Sequence, residues 1–91
     1  MDQSLNLDRM YTEKVGEATG ALLINDFENE MDALFFVNWC LSKAYNEQGI
    51  LSWWNRPRIP LERRTPIQAW PEDPDKVLGL ASYLVGLGMS S

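Results

Sequence analysis

Ninety-one residues suit one small domain, and 45% apolar residues with ten aromatics are enough for a thin core. A formal charge of −5, from 13 acidic and 8 basic residues, argues against a nucleic-acid binder, which needs a basic face to neutralise phosphates. A single cysteine, Cys40, excludes an intramolecular disulfide and suits the cytoplasm, and no histidine is present to act as general base or metal ligand.

The N-terminus is polar and lacks the apolar core of a signal peptide. The spacing of Leu7, Tyr11, Val15, Ala18 and Leu22, with Met10 alongside, predicts an amphipathic helix over about residues 5–22. Gly16 and Gly20 weaken it by roughly 1 kcal/mol each relative to alanine. Residues 1–24 are therefore expected as an N-terminal helical segment, forming one unit with a helical domain over residues 25–88.

Asn25 or Asp26 is placed to cap a second helix, with Glu28 and Glu30 at its positive end. Phe27, Met31, Leu34, Phe35, Leu41 and Tyr45 trace a broad apolar face, widened by Val37, Cys40 and Ala44. Such a helix is expected at the centre of the core, ending near Glu47 with Gly49 as its C′ residue. Its longest apolar run, Ala33 to Val37, is too short to span a bilayer. A short helix with Ser52 as local cap should carry Trp53 and Trp54 and stop before Pro57.

Arg58 to Arg64 reads as an irregular, proline-restrained segment. Thr65-Pro66 is a helix start with threonine as N-cap and proline at N1, and Pro71 stops that helix near Trp70. Asp73-Pro74 repeats the start, and Val77, Leu80, Ala81, Leu84 and Val85 form a stripe to about residue 86. Gly86, Gly88 and two serines suggest a frayed tail. The chain reads as all-α, a small single domain of four to five helices.

Few residues offer chemistry. Cys40 sits in an apolar segment with no histidine to activate it and reads as a buried structural thiol. The alternation of Asp26, Glu28, Glu30 and Asp32 reads as a solvated helix start rather than a metal site. No P-loop, GxGxxG or CxxC motif occurs. No catalytic residue, metal or cofactor is expected, and the chain is not read as an enzyme.

The stretch from Trp53 to Trp70 stands out. Its eighteen positions hold three of the four tryptophans, three of the five prolines and four of the eight basic residues. Stiff backbone, large apolar anchors and planar guanidinium groups together suit a contact surface. Trp54, Arg56, Arg58, Arg63, Arg64 and Trp70 are the candidate partner-binding residues. For Trp54 and Trp70 partial burial is the open alternative, and the arginines have internal pairing with the acidic helix as theirs. Trp53, Pro57, Leu61, Thr65 and Pro66 are expected to build the domain.

This stretch resembles the toxin-binding domain of the Xre/MbcA/ParS antitoxin family. The family signature is a tryptophan followed by proline, leucine and then Gly-Gly-Arg-Thr-Pro-Leu. Trp53, Pro57, Leu61, Arg64, Thr65, Pro66 and Ile67 fall on it without a gap. The likeness extends over about residues 33–85, with Asp73 to Leu78 similar to the start of the family's last helix, but only 53–67 is specific. Glu62-Arg63 stands where the family usually has Gly-Gly, Arg58 replaces a common asparagine, Trp54 a common leucine and Gln68 a frequent glutamate.

The resemblance implies an all-helical domain that binds a RES-type toxin, an NAD-consuming enzyme, and blocks its active-site cleft. The expected partners are that RES-domain toxin and a second copy of the chain in a homodimer. Many members add an N-terminal Xre helix-turn-helix domain. Here the N-terminal half is short and holds nine acidic against three basic residues over 1–50, so DNA binding is not expected. The runner-up reading is a small acidic stand-alone inhibitor or adaptor of another protein, such as a phage-encoded one, which presents Asp26, Glu28, Glu30 and Asp32 to a basic surface. A nucleic-acid binder using Arg56, Arg58, Arg63 and Arg64 ranks third.

Overall fold

The computed structural model describes residues 3–87, with side chains from Asp8 onward, and places no strand among them. The Leu7 side chain and the tail from Gly88 lie outside the described residues. Five α-helices form: α1 (Gln3–Glu17), α2 (Glu30–Ser42), α3 (Glu47–Trp54), α4 (Pro66–Ala69) and α5 (Pro74–Tyr83). Short 3₁₀ turns at Ile24–Asp26 and Ile59–Leu61 lie between α1 and α2 and between α3 and α4. The all-α expectation holds.

α1 is held by one large residue. Tyr11 is fully buried, edge-on to Phe36 at 5.4 Å, and its hydroxyl donates to the Asp32 carboxylate at 2.8 Å. Trp39 Nε1 and Lys43 Nζ both donate to Asp8, at 2.7 and 2.8 Å, and tie the helix to the far end of α2. α1 ends at Glu17, five residues before the expected boundary. Leu22 is buried all the same, because the chain after α1 lies across α5. The Leu22 amide donates to Ser82 Oγ and the Ile24 amide to Asp75. The apolar spacing thus spans a helix and an extended segment.

α2 is central, packing on α1, α3 and α5. It starts four residues later than Asn25, where the Asn29 side chain accepts from the Asp32 amide at 2.8 Å. Its core face is Ala33, Phe36, Val37, Cys40 and Leu41. Met31 and Phe35, expected on the buried face, point outward.

The helix expected to reach Glu47 breaks at Ser42. Asn46 offers a competing cap, its side chain accepting from the Gly49 amide at 2.9 Å to begin α3. Gly49 is therefore not a C′ residue but lies in the first turn of α3. A Cβ there would stand 2.8 Å from Tyr45 Cβ, so glycine permits the close approach of the two turns. Ser52 likewise lies within α3 rather than capping it.

α4 begins with a complete capping box: Thr65 Oγ1 accepts from the Gln68 amide at 3.1 Å, and Gln68 Oε1 accepts from the Thr65 amide at 2.9 Å. α5 has Pro74 at N1, but the Asp73 carboxylate does not cap it. At its other end Gly86, at φ 87°, closes the turn, with the Leu87 amide donating to the Ser82 carbonyl and the Gly86 amide to Tyr83. Gly86 thus lies in a hydrogen-bonded turn with buried Leu87, not in the frayed tail expected to begin there. Val77, Leu78 and Ala81 are fully buried beneath α2, while Leu80, Leu84 and Val85 pack at the margin.

Candidate functional site

Between α3 and α4 the chain makes an arch. The Arg58 amide donates to the Arg64 carbonyl at 3.1 Å, and the Arg63 amide returns to the Arg58 carbonyl at 2.9 Å. Closing so short a loop puts Glu62 and Arg63 in succession into the left-handed region, at φ 59° and 67°. Residues with a Cβ pay steric strain there that glycine avoids. Trp53, Leu61 and Pro66 are buried beneath the arch, as expected of structural residues. Pro57 is exposed, so it acts by restricting backbone rather than by packing.

The four arginines separate. Arg64 is tied inward: Nε donates to the Leu61 carbonyl at 2.9 Å, Nη1 to Glu72 at 3.0 Å and Nη2 to Asp73 at 2.6 Å. The hydrogen bond from Arg64 holds the Asp73 carboxyl below the usual carboxylate range. Arg64 therefore fastens the arch to the start of α5, the internal pairing that the sequence left open as the alternative to a partner contact. Its partners are Glu72 and Asp73, not the acidic start of α2.

Arg58 lies over the Trp53 ring at 5.2 Å, and its Nε is buried without a hydrogen-bond partner. With Arg56 it borders a small groove of about 270 Å³ that includes Tyr45, Ser52 and Trp53. Arg56 and Arg63 are exposed. Among the described residues none of Arg56, Arg58 and Arg63 enters an ion pair, so these three stay open to a partner.

The tryptophans are buried. Trp54 is 8% exposed and Trp70 6%, which corrects the expectation of protruding anchors in favour of its alternative. Their rings meet edge to face at 6.3 Å, and Trp53 meets Trp54 in the same way at 5.3 Å. Both indole N–H groups are engaged, Trp54 with Asn38 at 2.8 Å and Trp70 with Glu30 at 2.7 Å. The two indoles form the floor of an open groove of about 390 Å³ between α2 and α4.

Met31, Phe35 and Ile67 stand along this groove, 58%, 51% and 52% exposed. Leu34 and Asn38 complete its α2 wall. Met31 and Phe35 also border a second, more polar hollow of about 470 Å³ with Met10, Lys14, Asp26 and Glu28. Exposed apolar residues gathered in one place mark an interaction surface more strongly than scattered ones. This ridge is absent from the candidates drawn from sequence. Its signal was there: α2 has apolar residues on two faces, more than one core contact requires.

Asp26, Glu28 and Glu30 are exposed at the positive end of α2, while Asp32 receives the Tyr11 hydroxyl. No group of three or more Cys, Asp or Glu is placed to hold a metal among the described residues. Cys40 is fully buried, and burial pushes its thiol up to about 12. No helix among the described residues is long and apolar enough to cross a membrane. Comparisons with protein-family models, curated proteins and solved structures find no match.

Proposed function

We propose that the chain is an antitoxin-type protein that binds a RES-type, NAD-consuming toxin in the cytoplasm and neutralises it by covering its active-site cleft. One observation carries this reading: two successive left-handed residues, Glu62 and Arg63, fall on the two positions where the resembled signature has Gly-Gly. Glycine is the residue that such backbone favours. A chain with Glu-Arg there keeps the signature's turn despite the strain, which is expected if the arch itself is what has been retained. The Thr65–Gln68 capping box supports the same reading, because glutamine fills the role that the family's frequent glutamate can fill.

The contact surface on this reading is the apolar groove together with Arg56, Arg58 and Arg63. Trp54 and Trp70 contribute as its floor, and Arg64 holds it in shape. Co-expression with a RES-domain toxin tests the proposal. The chain should co-purify with the toxin and preserve cellular NAD. A toxin that stays fully active and unbound overturns it.

The second reading, an acidic inhibitor or adaptor of a different protein, is favoured by the exposed carboxylates Asp26 and Glu28, which line the adjoining polar hollow. Charge reversal at Glu28 should then abolish binding. Binding that survives this change but is lost in Phe35→Ala removes the second reading.

A further inference from the structure

We propose that the groove between α2 and α4 is the docking site for one amphipathic helix of a partner protein, with basic residues flanking its apolar stripe. The inference rests on the chain being a protein-binding module; it does not require that the partner be a toxin.

The shape of the groove selects a helix. Its α2 wall repeats at three- and four-residue spacing from Met31 to Asn38, about two turns or roughly 10 Å of helix rise. The opposite wall is a single turn, Ile67 in α4 and Trp70 at its C-cap, three residues apart. A helix lays its apolar face into such a channel at matching spacing. An extended or polyproline segment brings unbonded backbone carbonyls and amides instead. This groove offers them little, since the Asn38 side-chain amide is the one lining N–H without a hydrogen-bond partner among the described residues. Both indole N–H groups on its floor are already bonded, and no strand edge exists among the described residues to pair with. A helix satisfies its own backbone and asks only for apolar contact.

Charge selects the flanks. Glu30 directly precedes Met31 and accepts from Trp70 Nε1, and Glu28, three residues before Met31, lines the adjoining hollow with Asp26 and Lys14; both glutamates are exposed and neither enters an ion pair among the described residues. The whole chain carries −5. A second copy docked on this face would bring like charges together, which disfavours self-association here. A helix with lysine or arginine beside its apolar stripe meets opposite charge instead.

The test is titration of the full chain with a tryptophan-free Leu/Lys amphipathic helical peptide and its Leu/Glu counterpart. Trp54 and Trp70 report binding by fluorescence, and calorimetry gives the affinity. The Leu/Lys peptide should bind about tenfold or more tighter than the Leu/Glu peptide, with the difference shrinking as salt rises. Phe35→Ala should weaken it by about tenfold, as expected from losing one half-exposed phenyl contact. Glu28→Lys should cut the preference for lysine. Because Phe35 is exposed, the variant keeps its fold, and an unchanged thermal midpoint checks that; Ile67→Ala is the second variant.

Equal binding of both peptides, binding of neither, or affinity indifferent to Phe35→Ala overturns the proposal. So does dimerisation of the chain alone that Phe35→Ala abolishes, since a second copy would then occupy the face. A chain that restrains the toxin but fails here loses only the helix. A chain that binds the basic helix but leaves the toxin active loses only the antitoxin reading.

Discussion

Replacing Glu62 and Arg63 together by glycine should stabilise the protein. Each residue sits in the left-handed region, where a Cβ costs about 1–2 kcal/mol. Glycine relieves that strain but adds about 0.4–1 kcal/mol of unfolded-chain entropy. The net gain is about 0.5–1 kcal/mol per site, or about 1–2 kcal/mol for the pair. One contact is lost: Lys76 Nζ lies 3.7 Å from Glu62, on a well-exposed side chain, and such pairs contribute about 0–1 kcal/mol. For a domain of this size 1 kcal/mol moves the thermal midpoint by about 4–8 °C. After that loss about 0–2 kcal/mol remains, so a rise of up to about 16 °C is expected by circular dichroism, with a matching rise in the urea midpoint. Glu62→Ala with Arg63→Ala removes the same side chains but retains the strain and should show no such rise. A glycine pair no more stable than the alanine pair would refute the left-handed turn.

Three further outcomes follow from the packing. Gly49→Ala should destabilise by about 1–3 kcal/mol in urea unfolding, because the new Cβ meets Tyr45 at 2.8 Å, whereas Gly16→Ala in open space on α1 should stabilise by up to about 1 kcal/mol. Asp73 has a folded-state pKa below its unfolded value of 3.8, so its contribution is present above that pH and is lost as pH falls through the folded pKa; Asp73→Asn should flatten the acid limb of a pH–Tm profile. Cys40 is shifted the other way, from 9.0 to about 12, so its contribution is complete below pH 9 and is lost as pH rises toward 12. Native protein at pH 8 should accordingly resist a thiol reagent that labels urea-unfolded chain at once.

How far the sequence reaches depends on where the physics is local. Thr65-Pro66 and Pro74 were legible because capping and proline geometry are set within four residues. The all-α class followed from spacing alone. The break between α2 and α3 was hidden because apolar periodicity continues through it, and the deciding facts are the Asn46 side chain and the close approach of Gly49 to Tyr45. The fate of Trp54 and Trp70 was not readable either: their hydrogen bonds to Asn38 and Glu30 reach 16 and 40 residues away. Arg64 illustrates the same limit. A guanidinium in a basic run reads as a contact residue until Glu72 and Asp73 are seen beside it. The exposed ridge of Met31 and Phe35 was misread as core because an apolar helix face does not itself say which neighbour covers it.

The most direct measurement is the rate of NAD consumption by a purified RES-domain toxin titrated with the purified chain. The account predicts that the rate falls to zero at a fixed ratio of chain to toxin, and that Phe35→Ala weakens this inhibition while leaving the chain folded. A rate that is unchanged at an excess of folded chain would contradict it.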